Sequence, residues 1–203
     1  NSDRVGRREV MLKLDECEMA INSEIKNKIN PLDSSYFWQG KKLEIESTRE
    51  LQNELSKILD SIYTKGPKVF NELINRNTLS SQGASARVKL LKAMLEAKSL
   101  ENLGFAEDLF PPEKSIFNAL FKNFDLHQEV DDQFKFVFPK EDSEIFPVFK
   151  AIENFIEASQ EPVAYQDLKE LMAAPPFGIK EGLMPLIFMG FYFARENNIA
   201  LYE

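Results

Sequence analysis

Polar side chains crowd into one short run, Asn71-Glu72-Leu73-Ile74-Asn75-Arg76-Asn77-Thr78, directly ahead of Ser80-Ser81. Read as the end of a helix, the run sets Asn71 beside Asn75 and Glu72 beside Arg76, because positions four apart share a helix face. Two uses of that arrangement are open. Asn71, Glu72, Asn75 and Arg76 can contact a neighbouring domain, with Arg76 offered to a phosphate held by a partner. Alternatively, Glu72 and Arg76 pair while the Asn side chains satisfy backbone groups around the Asn77-Thr78 turn. A second helix opening at Ser80 or Ser81 brings Gly83, Ala84 and Ala86, which admit a close backbone or ligand, with Arg87 one turn along. Converging N–H groups at such a start suit an anion, and small residues there equally suit close helix packing.

Other chemistry is thinly represented. His127 and Cys17 stand far apart in sequence, so spacing offers neither a zinc site nor a Cys-His pair, and His127 reads as a surface histidine. Asp131-Asp132 and Glu141-Asp142-Ser143-Glu144 lack the spacing of a calcium loop and read as solvated acidic turns. No metal and no cofactor is expected. An enzymatic reading would require Glu72, Arg76 and Arg87 to converge in one polar pocket.

The elements that must position these groups follow from composition and periodicity. A chain of 203 residues, 43% hydrophobic and 29% charged, has the make-up of a folded globular protein with room for a substantial core. The net charge of −8 is uneven, since residues 1–76 carry 13 basic and 13 acidic side chains and residues 77–203 carry 12 and 20. The second part therefore repels phosphate backbones. One cysteine permits no internal disulfide, and the most apolar run, 183–194, is too short to span a bilayer, so a cytoplasmic location is expected. The chain opens at Asn1 without Met and stops after Ala200-Leu201-Tyr202-Glu203, and both ends are expected to be cuts in a longer protein.

Three stretches are expected. Over 1–30, Val10, Leu14, Cys17, Ile21, Ile25 and Ile29 recur at spacings of three and four, the stripe of a long amphipathic helix ended by Pro31. Its cover is either another domain or a second copy of itself. Over 31–141 a helical domain carries a short hairpin turning at Gln39-Gly40-Lys41. Ser47-x-x-Glu50 then forms a capping box for a helix that buries Leu51, Leu55, Ile58, Leu59 and Ile62. Further helices are expected over 67–76, from Ser80-Ser81 with Ala84, Val88, Leu91 and Leu95 inward, and from Pro111-Pro112-Glu113 with Ile116, Phe117, Leu120, Phe121 and Phe124 inward. Alternation over 134–138 predicts a strand that pairs with the first hairpin.

Over 142–203, a helix capped by Asp142-Ser143, an extended 162–164, a helix over 167–172, a tight turn at Pro175-Pro176-Phe177-Gly178, a helix over 179–197 and a strand over 199–202 follow the order of a winged helix. The fold class is thus mainly α with small β elements, ending in a winged-helix-like subdomain. Residues 182–193 are apolar nearly all round, and Lys180 and Arg195 are the cations nearest that helix, so a packing or protein-contact role suits it better than DNA readout.

The 71–76 run, Ser80-Ser81 with Ala84, Ala86 and Arg87, Leu103-Gly104 with Pro111-Pro112-Glu113, and Pro175-Pro176-Phe177-Gly178-Ile179-Lys180-Glu181-Gly182 together resemble a region of very large bacterial P-loop ATPases. Such ATPases include those of BREX-type phage-defence systems. The likeness runs from Tyr36 to Tyr202 and implies an internal module of a multidomain ATPase acting in antiviral defence. The chain lacks the Gly-x-x-x-x-Gly-Lys-Ser/Thr loop that binds phosphate in these proteins. The leading expectation is accordingly a non-catalytic structural or regulatory interaction module that contacts other domains of the parent or partner subunits. The alternative is a DNA-contacting module using Arg4, Arg7, Arg8, Lys41, Lys42 and Arg49.

Overall fold

The computed structural model describes residues 4–28 and 34–202, with two compact units, residues 1–60 and 61–203. In the first unit, α1 (Arg4–Lys28) forms as its periodicity requires. Ile29 and the stop at Pro31 lie outside the described residues. The α1 stripe is at the surface: Val10 is 68% exposed and Ile21 59%. β1 (Tyr36–Trp38) pairs antiparallel with β2 (Lys41–Leu43), Tyr36 opposite Leu43. The intervening Gln39 and Gly40 have φ of 48° and 77°, the left-handed pair of a two-residue hairpin turn.

α2 (Thr48–Ile62) starts with the expected box. The Glu50 N–H donates to Ser47 Oγ at 3.2 Å, and the Glu50 carboxylate reaches back to the Glu46 N–H at 2.8 Å. Its stripe of Leu51, Leu55, Ile58, Leu59 and Ile62 is not buried, contrary to expectation, since no residue of α2 is buried. Periodicity marks which face is apolar and leaves open whether the chain supplies a cover for it.

The second unit contains the largest departure from the sequence reading. Residues 66–76 are irregular and then turn, with no helix. Asn71 Oδ1 accepts from the Leu73 N–H at 3.1 Å, and Asn75 Nδ2 donates to the Val69 carbonyl at 3.0 Å. Side-chain amides thus compete with the helical ladder. Distant partners take other backbone donors: the Lys65 N–H bonds the Pro176 carbonyl at 3.0 Å and the Lys68 N–H the Glu144 carboxylate at 3.2 Å.

α3 (Ser81–Ala97) is capped by Ser80, whose Oγ accepts from the Gly83 N–H. Its inward face is Gly83, Ala86, Leu90 and Met94 and not the expected Ala84, Val88, Leu91 and Leu95, which lie about 100° further round the helix. α4 (Pro112–Phe117) continues through a π turn over Asn118–Lys122 and buries Ile116, Phe117, Leu120, Phe121 and Phe124, as expected.

β3 (His127–Val130) and β4 (Gln133–Phe136) form a second hairpin, His127 opposite Phe136. It is a separate two-stranded sheet and does not pair with β1 and β2. Its turn is Asp131-Asp132, with φ of 56° and 59°. Short acidic side chains tolerate that left-handed conformation, so the pair is a turn-former and β3 was hidden by the absence of glycine.

α5 (Phe146–Ala158) starts after Ile145 and not at Asp142-Ser143, with Pro147 in its first turn. α6 spans Tyr165–Ala173, and a cis Pro175-Pro176 bond follows. α7 is Met184–Ala194, shorter than the expected 179–197 because Pro185 occupies its first turn, where the missing N–H costs nothing. Segments 162–164 and 199–202 form no strand, so the expected helix order is present without a wing built from those segments.

One core joins residues from Val69 to Phe193, so 142–203 shares it with 69–141. It is aromatic at its centre. Phe121 meets Phe136 edge to face at 5.2 Å, and Phe149 meets Phe191 at 5.8 Å, geometries that add to the burial itself.

Candidate functional site

The segments singled out in sequence, 71–77, 80–87 and 175–182, meet in space. The Gly182 N–H donates to the Arg76 carbonyl at 2.9 Å and the Glu181 N–H to Asn77 Oδ1 at 3.3 Å. Arg87 Nη1 donates to the Glu181 carbonyl at 3.5 Å. Asn71 Nδ2 reaches Ser115 Oγ at 3.2 Å, which ties in the segment after Pro111-Pro112. Two glycines make the approach possible. A Cβ on Gly182 would run into the Ile74 carbonyl, and one on Gly83 into the Leu73 carbonyl. The result is a clasp of loops in which most polar groups already have a partner within the chain.

Its chemical capacity is correspondingly small. Glu72 and Arg76 pair at 3.5 Å, with Glu72 95% exposed, a surface ion pair that contributes little. Arg87 turns to the Glu181 carbonyl, so Glu72, Arg76 and Arg87 do not form the pocket that an enzymatic reading required. Ser81 is exposed in the first turn of α3, while Ser80 and the Leu73 carbonyl occupy the space around Gly83, which is close packing of backbones. Among the described residues no group of three or more His, Cys, Asp or Glu is placed to hold a metal ion.

The misplaced α3 face proves informative. Leu91 and Leu95 line a groove with Tyr165, Pro185, Phe188 and Met189, and Val88 and Leu95 are each 61% exposed. Tyr165 packs on Phe188 at 5.2 Å. Burial there pushes its phenol above the ordinary tyrosine pKa, against the pull of nearby Arg87. Leu91 and Leu95, read as core, thus line an apolar groove, with Leu91 also packing in part against the core.

Two functional-looking residues were missed. Lys114 is 8% exposed, and its Nζ donates to the carbonyls of Ala106 at 2.6 Å, Glu107 at 3.0 Å and Leu109 at 2.9 Å. It braces the loop whose tip, Phe110, is 82% exposed. No sequence signal marks a lysine for this task. His127 is not a surface histidine: its Nε2–H donates to the Lys98 carbonyl at 2.8 Å, and its ring lies against Phe117, Phe134 and Phe136. Burial lowers its pKa, against the raising effect of the Lys98 bond.

The basic candidates behave differently. Arg7, Arg8, Lys41, Lys42 and Arg49 are exposed, and among the described residues no ion pair engages them. The Arg4 side chain lies outside the described residues. By contrast Arg195 in the second unit is committed, its Nε to Glu153 at 2.7 Å and its guanidinium over Phe138 at 4.0 Å. Among the described residues no helix is long and apolar enough to cross a membrane. No family model, curated protein or solved structure matches the chain.

Proposed function

We propose that this chain is a non-catalytic structural or regulatory interaction module, and that its partners are other domains of a large multidomain bacterial ATPase or that ATPase's partner subunits. The observation that carries this reading is the groove of Leu91, Leu95, Tyr165, Pro185, Phe188 and Met189, an apolar surface held on a rigid aromatic core. Exposed apolar grooves serve as protein-contact or ligand surfaces. The clasp supports the same reading, because its polar groups hold loops in place. The parent's role in antiviral defence rests on the resemblance of the anchor segments, its cytoplasmic location on the single cysteine, and a winged-helix-like subdomain over 142–203 on the order of its helices.

A photo-crosslinking residue at Leu95, in the chain expressed in its native cells, tests the proposal, with the exposed Lys122 as a control position. The expected product at Leu95 is a crosslink to a protein that mass spectrometry identifies as a P-loop ATPase or its subunit. Crosslinking equal to the control, or to a protein unconnected with any ATPase, would overturn it.

A second reading, DNA contact through the first unit, is favoured by Arg7, Arg8, Lys41, Lys42 and Arg49, which are exposed and, among the described residues, engaged by no ion pair. Its signature is affinity that falls steeply with salt.

A further inference from the structure

The loop ahead of α4 carries two apolar side chains at its tip, Leu109 at 60% exposed and Phe110 at 82%. Both ends of the loop are fixed. Leu103 and Phe105 anchor its start in the core, Phe105 meeting Phe117 edge to face at 6.2 Å, and Pro111-Pro112 hold its end through their locked φ. Between them, Lys114 uses all three donors of its ammonium on the Ala106, Glu107 and Leu109 carbonyls, and that ammonium stands 4.8 Å from the Phe110 ring centre. A buried ammonium is unfavourable unless it is satisfied in this way. The single buried charged side chain among the described residues is thus committed to holding an apolar tip out in solvent.

The charges beside the tip say what fits it. Glu107 and Asp108 are exposed, and among the described residues no ion pair engages them. The neighbouring cations are taken: Lys114 by its three carbonyls, and Lys89 by Glu113 at 3.9 Å. Two uncompensated carboxylates repel phosphate backbones and anionic lipid headgroups, and they attract Lys and Arg side chains. A rigid aromatic side chain fills a protein pocket with little further ordering cost, which makes it an effective anchor.

We propose that residues 106–111 form a docking finger that seats Leu109 and Phe110 in an apolar pocket of a partner protein, rimmed by Lys or Arg side chains that meet Glu107 and Asp108. The finger is separate from the groove beside Leu91. Lys89, which meets Glu113, and Leu91 are two positions apart on α3 and so about 200° apart round the helix. The second unit thus offers two contact surfaces on opposite flanks of α3, and the finger does not depend on what fills the groove.

The test places the photo-crosslinker p-benzoylphenylalanine, which keeps a ring at the position, at residue 110 of the whole chain in its native cells, with the exposed Lys122 position as control. The expected product is a crosslink to another protein, at a peptide that carries apolar residues with Lys or Arg alongside. Glu107→Lys with Asp108→Lys should lower the yield several-fold with an unchanged melting temperature, since both side chains are exposed. Lys114→Met should lower it as well by freeing the loop, with helix content checked by circular dichroism. A yield at 110 no higher than at 122 overturns the proposal. So does a yield that the double charge reversal leaves unchanged, or a crosslinked peptide without Lys or Arg. A product with lipid, with nucleic acid or with a second copy of this chain overturns it too.

Discussion

Residues 6–60 and 61–203 use similar apolar patterns to opposite ends. In the first unit, α1 and α2 carry stripes as regular as any in the chain, yet no described side chain there is buried. In the second, Phe117, Phe121, Phe149 and Phe191 are fully buried, with Phe121 meeting Phe136 and Phe149 meeting Phe191 edge to face. The difference lies in connectivity. The second unit has loops that return elements onto one another, drawn in by hydrogen bonds between segments about a hundred residues apart, whereas the first has two helices and a hairpin without a shared interior. An apolar face thus has two physical outcomes, core or contact surface, decided by what the rest of the chain brings to it.

Paired substitutions sharpen that contrast. Phe121→Ala in the second unit should cost about 3–5 kcal/mol in denaturant unfolding, because it opens a cavity beneath Phe117 and Phe136. Gly182→Ala should cost about 1–3 kcal/mol, since the added methyl must displace the Ile74 carbonyl and loosen the clasp. If it is neutral, the close approach of the two loops is not what holds them.

Acid titration of stability comes next in size. The His127 pKa is lowered in the folded state, so above the ordinary value of 6.5 the ring is neutral whether folded or not. As pH falls through 6.5 the unfolded chain takes up the proton first, and stability declines until the lower folded pKa is passed. His127→Phe should flatten that part of the curve. A second acid-sensitive group is Glu153, whose pKa is lowered chiefly by the Lys150 hydrogen bond, with Arg195 adding to it. Its contribution is present above the ordinary carboxylate range and is lost on further acidification, so Glu153→Gln should shallow the lower limb. The smallest effects belong to the first unit and the surface pair: Leu55→Ala and Arg76→Ala should each change stability by no more than about 0.5 kcal/mol.

Much of the fold was legible in sequence for identifiable reasons. Ser47 and Glu50 announced α2, Gln39-Gly40 the first hairpin, and Pro111-Pro112 the start of α4, because caps and turns are local chemistry. Misreadings arose where tertiary partners decided the outcome. Residues 66–76 have helical spacing, but Asn71, Asn75 and distant carbonyls and carboxylates claim their hydrogen bonds. α3 has apolar residues on two faces, and only packing against α4 and α7 selects Leu90 and Met94 over Leu91 and Leu95. The anchor segments were found as a set, and their convergence in one clasp depends on carbonyl approaches to Gly83 and Gly182 that no sequence pattern encodes.

The contrast between the units is tested most directly by amide hydrogen exchange on the dilute, monomeric chain. We expect α3, α5 and α7 to exchange only by global unfolding, and α1 and α2 to exchange orders of magnitude faster through local fraying. Protection of α1 and α2 equal to that of α7 under those conditions would contradict it, since it would mean that the chain already covers the faces assigned here to partners.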